Sequence, residues 1–415
     1  MTRRWLGDCL RYVHSRLLPK SVWRQAKDGR KNPEILPGTV WQTVLYGFLM
    51  QVPSFERLGR LARDGFGRLL PRKQRPPSVD AIRDGMDQAD LSGLKRLFVG
   101  AMNRIKRMKA VGWLDGWRVA AIDGSYMFTS TLHKCADCRR QNHQNGSPTY
   151  NHGGIYCHTV GSPPRLFWGY EPIHPGEGEQ RVAIRLLDWL YTQFKHFVDI
   201  LVFDAGFAGA PVLQTALGYG YHVIVALRDE RMLIVRDALG LFQHRAPDLR
   251  FEHKRSDSVQ VRVTIWDEEN FSSWEAIPQI QRVVYVEEVE LTGRHQGRLR
   301  RLMVGTDLTQ GQVGSQSIWK MAHARWVIEN TGFHEAKGQW KLDHCYVHTA
   351  VGIQAVIWLM MLGINLFRMY VERHSLRAFV ASQLTRSEVA ERMRGELLYA
   401  EEKQGLWLLL GWDST

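Results

Sequence analysis

Two short apolar runs in this chain each end on an aspartate, and that repetition restricts the fold more than any other feature. Residues 120–128 read AAIDGSYMF and residues 199–207 read DILVFDAGF, so Asp123 and Asp204 each close an apolar stretch and are followed by small residues. Short apolar runs bounded by turn residues are the pattern of buried strands. Two such strands ending alike put two carboxylates at the same end of one sheet, where open α/β sheets gather their ligands. A carboxylate at a strand end can also simply cap a turn. Deciding between these needs a third partner.

The rest of the chain supplies the setting. Residues 1–110 read as helical: VWQTVLYGFLMQ is apolar throughout, SFERLGRLARDGFGRLL repeats Leu and Phe at helical spacing, and a basic, proline-rich connector PRKQRPPSVD follows. Ser78 or Asp80 suits the N-cap of the next helix. Residues 111–248 alternate strands with helices, as in WRVAAIDGSYMF, GGIYCHTVG and RLFWGYEPI, then the amphipathic GEGEQRVAIRLLDWLYTQF, then DILVFD, GAPVLQTALGYG and YHVIVALR. That order predicts a mixed sheet with helices on its faces. Residues 249–312 read as a β-rich insertion, 313–349 as a region built on a long helix, and 350–415 as a helical C-terminal region. The longest apolar stretch, AVIWLMMLGINLF at 355–367, is short for a bilayer and reads as a buried helix.

Charge is unevenly spread. Residues 1–110 hold 23 Lys and Arg against 9 Asp and Glu, whereas the other 305 residues hold 32 against 33. A basic helical unit joined to a neutral one points to a polyanion, most simply DNA. The five cysteines form no regular framework, which argues against a disulfide-stapled secreted domain. The start MTRRWLGDCLRYVH lacks an uninterrupted apolar core, so a soluble, cytoplasmic protein with no membrane partner is expected.

The third carboxylate comes from ARWVIENTGFHEAKG, where Arg325 and Glu329 are four apart and share a helix face. The plain alternative is a surface ion pair, but WVI immediately before the Glu sets it close to a packed side. Asp123, Asp204 and Glu329 together have the composition of a hard-cation site, in which Mg²⁺ or Mn²⁺ shares oxygen ligands with phosphate. Two such ions can activate a nucleophile and stabilise the leaving oxygen of a phosphodiester.

The segments IDGSYMF, VFDAGF and RWVIENTGFHEAKGQWKLDH together resemble the DDE transposases of bacterial insertion sequences. The resemblance covers about 110–350 and implies a ribonuclease-H-like mixed sheet with flanking helices and a β-rich insertion before the Glu. It implies that Asp123, Asp204 and Glu329 are catalytic and hold two Mg²⁺ or Mn²⁺ ions. It further implies cleavage at element ends and strand transfer in cut-and-paste fashion. The DNA partners would be terminal inverted repeats and target DNA, bound by a homodimer on the bacterial nucleoid. Arg325 and a downstream lysine would hold DNA phosphates. The group's Tyr–Arg–Glu–Lys signature places a Tyr three residues before the Arg and a Lys seven after the Glu. Those positions are Ala322 and Ala336 here, and Lys337 comes one residue late.

Other clusters have less definite readings. The loop KCADCRRQNHQNGSPTYNHGGIYCH holds a C-x2-C pair, and a zinc site there would draw on Cys135, Cys138, Cys157 and His158, with His143 and His152 also in the loop. Its irregular second half favours a plain polar connector, and zinc is not expected as a cofactor. Arg139 and Arg140 in that loop, and Arg300 and Arg301 in the insertion, are candidate DNA contacts. Glu177 and Glu179 suit a helix start. Trp266 and Trp274 are expected to pack within the insertion, with base stacking as the alternative. Three other functions fit the sequence. One is a nuclease of the same fold without strand transfer. The second is a transposase-derived DNA-binding protein that has lost catalysis. The third is a zinc-dependent structural protein centred on Cys135 and Cys138.

Overall fold

The computed structural model describes residues 4–65, 75–132, 134–143 and 146–399. The start of the basic connector and the end of the helix expected before it lie outside these residues. The helices α1 (Trp5–Tyr12), α2 (Pro37–Leu49), α3 (Phe55–Asp64), α4 (Val79–Asp87) and α5 (Leu91–Arg107) come first. Of the two candidate caps for α4, Ser78 is the one used, its hydroxyl accepting from the backbone N–H of Ala81 at 3.2 Å.

The strands follow: β1 (Val119–Ser130), β2 (Arg139–Asn142), β3 (Pro148–Thr159) and β4 (Phe167–Ile173). Then come α6 (Glu179–Phe194), β5 (Ile200–Phe203), α7 (Ala210–Gly218), β6 (His222–Ala226) and α8 (Leu233–Gln243). The run continues with β7 (Leu249–Ser256), β8 (Val259–Glu268), β9 (Arg282–Glu290) and β10 (Leu299–Thr306). The sheet core runs β4–β3–β1–β5–β6, with β3 antiparallel to both β4 and β1, while β1, β5 and β6 are parallel. This is the ribonuclease-H-like mixed sheet, in which a helix crosses from one parallel strand to the next.

The strands at 249–306 do not fold apart from this sheet. β10 pairs antiparallel with β6, and β9, β8 and β7 follow it outward, so that one ten-stranded sheet results. On β8 the buried Val261 and Val263 alternate with exposed Gln260 and Arg262, as expected for a strand with one covered face, whereas β9 also buries Glu288 and Glu290. Trp266 and Trp274 pack on the core as expected, and the Trp266 indole also donates to the carbonyl of Arg245 at 3.0 Å. The fully buried Arg282 pairs with Asp267 and donates to the carbonyls of Leu308 (3.1 Å) and Val313 (2.7 Å). It thereby anchors the segment that leads into the next helix.

That segment opens α9 (Ser315–Ala324), and the expected long helix is not regular. It passes through a π-helical stretch at Ile328–His334 and returns to α-helix in α10 (Glu335–Trp340). Beyond it stand α11 (Ala350–Met369), α12 (Leu376–Ser382) and α13 (Arg386–Tyr399). α11 and its continuation are long and apolar enough by composition to cross a membrane, but the helix is mostly buried within the fold. The N-terminal helices pack against it: the Phe98 and Trp358 rings are 5.0 Å apart, and a Cβ on Gly363 would meet Phe48 at 2.8 Å. The two ends of the described chain also meet. The Glu396 carboxylate accepts from the backbone N–H groups of Trp5 (2.6 Å) and Leu6 (2.8 Å), which open α1 and have no helical partner.

Candidate active site

In the parallel ladder of β1 and β5, Ile122 pairs with Phe203. The next residues along each strand are Asp123 and Asp204, which therefore leave neighbouring strands at one level. Their backbones then differ. β1 continues, and the Asp123 Oδ1 accepts from the Gly124 N–H at 2.8 Å. β5 stops, and the Asp204 side chain caps a single 3₁₀ turn by accepting from Gly206 N–H at 2.8 Å.

Glu329 arrives from the irregular helix. The Arg325 guanidinium lies between its carboxylate and that of Asp123, 2.6 Å from Glu329 Oε1 and 3.1 Å from Asp123 Oδ2. Arg325 is buried, whereas the Glu329 side chain stays 45% exposed. The helix thus presents one face to the strand ends, with the arginine inward and the glutamate at the rim. Burial pushes the Asp123 carboxyl up to about 7; Arg325 and the Gly124 N–H pull it down, and the charges of Asp204 and Glu329 add to the rise. Two carboxylates, those of Asp123 and Glu329, thus meet at one guanidinium, and Asp204 stands at the neighbouring strand end without joining them within 4.8 Å.

α6 closes the site from the side. The Tyr126 hydroxyl donates to Glu179 Oε1 at 3.3 Å, and the Gln180 amide donates to the Gly206 carbonyl at 2.9 Å. A Cβ on Gly124 would come 3.5 Å from Glu179, an ordinary contact, so this carboxylate lies beside the residue that follows Asp123. Glu177 has the structural role: it accepts from His174 N–H at 3.0 Å and pairs with Arg185 at 2.8 Å.

The candidate phosphate contacts scatter. Arg325 is engaged by two carboxylates. His323 lies 2.5 Å from Glu288 Oε1, which also accepts from the Trp319 indole at 2.7 Å. Arg301 pairs with Glu287 at 3.0 Å, and Arg300 is exposed beside it; with Arg228, His323 and Trp326 they line a small cleft. Arg139 and Arg140 sit on the edge strand β2, Arg139 donating to the Tyr126 hydroxyl at 3.1 Å and Arg140 to Asn142 at 3.1 Å.

The offset of Lys337 has a structural counterpart. A π turn winds one extra residue into a helix, and the π stretch at Ile328–His334 includes Glu329 and ends before Lys337. It rotates Lys337 back toward the face that a lysine seven residues after the Glu would take in an α-helix. Lys337 is half-buried, and burial lowers its pKa while Asp343 opposes the shift. The π stretch is held from outside: Arg368 on α11 donates to the Thr331 carbonyl at 2.6 Å and to Glu335 Oε2 at 2.7 Å.

The cysteine loop corrects the sequence reading. Cys157 and His158 are fully buried on β3, and His158 Nε2 lies 3.0 Å from the Arg368 guanidinium, so neither joins Cys135 and Cys138. His143 instead bonds the Thr149 hydroxyl at 2.8 Å. The pair meets His152 and His348, and this is the one group of three or more His, Cys, Asp or Glu among the described residues whose ligand atoms all lie within 4.8 Å of one another. His348 has no signal in the local sequence, since it stands 210 residues beyond Cys138.

The family model of the transposase DDE domain matches residues 119–366. No curated protein matches the chain. Among solved structures, the chain is similar to a piggyBac transposase synaptic complex with hairpin DNA, at 8% identity and a TM-score of 0.45, covering 99% of this chain and 85% of that one. It is also similar to the NurA nuclease from Sulfolobus solfataricus, at 10% identity and a TM-score of 0.25, covering 53% of this chain and 80% of that one.

Proposed function

The chain belongs to the transposase DDE-domain family, and from that premise we propose that it cuts DNA at the ends of a mobile element and joins them to a new site. Asp123, Asp204 and Glu329 are its catalytic carboxylates. The observation that carries this reading is the placement of Asp123 and Asp204 at the exits of two paired parallel strands, with Glu329 joined to Asp123 through Arg325; burial, the largest cause, pushes the Asp123 carboxyl up to about 7. Such a cluster suits cations, and the all-oxygen donor set suits Mg²⁺ or Mn²⁺. A pair of these ions, when bound by the three carboxylates, lowers the pKa of a water and neutralises charge on the phosphate in flight.

The chain's own residues do the remaining work. Asp123 and Asp204, fixed at the exits of adjacent parallel strands, set the position of the reacting phosphate. Glu329 at the rim completes the set. Arg325, which touches two of the three carboxylates, holds a phosphate oxygen beside them, and Lys337 another further along the same helix. Arg300 and Arg301 on β10 and Arg139 and Arg140 on β2 contact the DNA backbone away from the reacting phosphate. The N-terminal 110 residues, with their excess of cations, take the terminal inverted repeats. A homodimer pairs two element ends, and the protein works in the bacterial cytoplasm on nucleoid DNA.

The test is cleavage of DNA carrying the genomic flanks of this coding sequence. Mg²⁺-dependent nicks at fixed positions that leave 3′-OH ends, followed by joined products, support the reading. Nicking without joining favours the nuclease. Tight binding with no cleavage in Mg²⁺ or Mn²⁺ favours the non-catalytic DNA-binding protein.

Asp123 also gives a pH prediction. Its folded pKa is raised, so its contribution to stability is fully present below the ordinary carboxylate range, about 4, and is lost as pH rises through about 7. A bound cation favours the anion and removes that penalty. Melting curves with and without Mn²⁺ should therefore separate by a few degrees at pH 8 and nearly coincide at pH 5.5. Equal shifts at both pH values would place the cation elsewhere.

A further inference from the structure

We propose that Cys135, Cys138, His152 and His348 form a structural zinc site, separate from the acidic cluster. With Zn–S near 2.3 Å and Zn–N near 2.0–2.1 Å, a tetrahedral Cys₂His₂ site requires sulfur atoms about 3.8 Å apart and sulfur–nitrogen separations of about 3.5–3.6 Å. Here the two Sγ atoms are 3.6 Å apart. His152 Nε2 lies 3.4 Å from Cys135 Sγ and 3.3 Å from Cys138 Sγ, and His348 Nε2 lies 3.4 Å from Cys138 Sγ. Each separation falls within about 0.3 Å of a tetrahedral edge. Thiols are weak hydrogen-bonding groups, so mutual hydrogen bonding is a poor reason for two of them and two imidazoles to aim at one point.

The surroundings are built to hold the cluster. The C-x2-C segment forms a tight turn, the Cys138 N–H donating to the Cys135 carbonyl at 3.2 Å, and the Cys135 N–H reaches Cys138 Sγ at 3.3 Å. A backbone N–H on a cysteine sulfur is the kind of contact that steadies a bound thiolate. β1 bulges between Met127 and Thr129, and Phe128 at that bulge takes a left-handed backbone conformation, φ 46°. This strain sets the Phe128 ring edge-on to His348, with centroids 4.7 Å apart.

The four ligands come from three places: the loop between β1 and β2, strand β3, and the residue two before α11. Zinc therefore ties the hairpin that leaves the Asp123 strand to the start of the central helix. It also fixes β2, which begins at Arg139, directly after Cys138.

The test is metal content of the full-length chain purified without chelators. About one zinc per chain is expected by mass spectrometry. The Cys135→Ser, Cys138→Ser and His348→Ala variants should each lose it, while Cys345→Ser, nearby but outside the cluster, should keep it. Cobalt exchanged into the wild-type chain should give the intense visible bands of a tetrahedral ion with thiolate charge transfer in the near ultraviolet. That spectrum decides the matter even if the cysteine variants do not fold. Asp123→Ala should retain the zinc, so loss of catalysis and loss of this site read out separately. A folded wild-type chain with no zinc and no tetrahedral cobalt spectrum would overturn the proposal, as would zinc retained after both cysteines are replaced.

Discussion

Replacing Asp204 by alanine is expected to lower cleavage of element-end DNA by at least about a thousandfold, with the fold intact. Loss of one carboxylate from the cation set forfeits several kcal/mol of transition-state charge stabilisation, and each 1.4 kcal/mol or so is a factor of ten in rate. The structural cost is smaller. Among the described residues, the one side-chain hydrogen bond of Asp204 is its cap to the Gly206 N–H at 2.8 Å, worth roughly 1 kcal/mol. Asp204→Asn separates the two contributions, because the amide oxygen keeps the cap and the charge is lost. Both variants should melt within a few degrees of the parent chain, and both should fail in the cleavage assay. An Asp204→Asn chain that cuts at a tenth of the normal rate or better would show that this carboxylate is a turn cap and no more.

Arg368→Ala is expected to cost about 3 kcal/mol of unfolding free energy, the lower end of the penalty for stripping one partner from a buried ion pair, because Arg386 still pairs with Glu335 at 3.0 Å. Arg368 is about 1% exposed. It bonds the carbonyls of Arg165 (2.6 Å) and Thr331 (2.6 Å) as well as Glu335 (2.7 Å), and it lies against His158. Without it the Thr331 carbonyl, freed by the π turn, has lost its donor. The stretch should then relax toward regular α-helix, turning Lys337 away from the face it shares with Glu329. Arg368→Lys should rescue poorly, because a point charge cannot serve a carboxylate and two carbonyls in a planar fork. Denaturant unfolding gives the stability, and cleavage measured well below the melting temperature gives the effect on the site. An Arg368→Ala chain as stable as its parent would contradict the assignment of this network as the prop of the π turn.

These two residues mark how far the sequence can be read. Asp123 and Asp204 are legible because strand ends are local: an apolar run, a carboxylate, then small residues. Glu329 is legible through the same-face spacing to Arg325. What links them in space is also local in origin, since parallel pairing of β1 with β5 brings like strand ends together. The π turn is not legible, because it is held by Arg368, far along the chain, and helix phase counted from sequence assumes regular winding. The partners of Cys135 and Cys138 are hidden for the same reason. Cys157 and His158 are close in sequence, but strand alternation and burial carry them into the core. His348 is brought in by the packing of α11. The strands at 249–306 show their alternation plainly, yet nothing in that alternation says that β10 pairs with β6 and extends the existing sheet.

The most direct measurement is the anomalous X-ray signal of Mn²⁺ in crystals of the chain with element-end DNA. Mn²⁺ peaks are expected within coordination distance of Asp123 and Asp204, with Glu329 completing the set and the scissile phosphate beside them. Mn²⁺ bound elsewhere, in crystals whose DNA is still cut, would contradict this assignment.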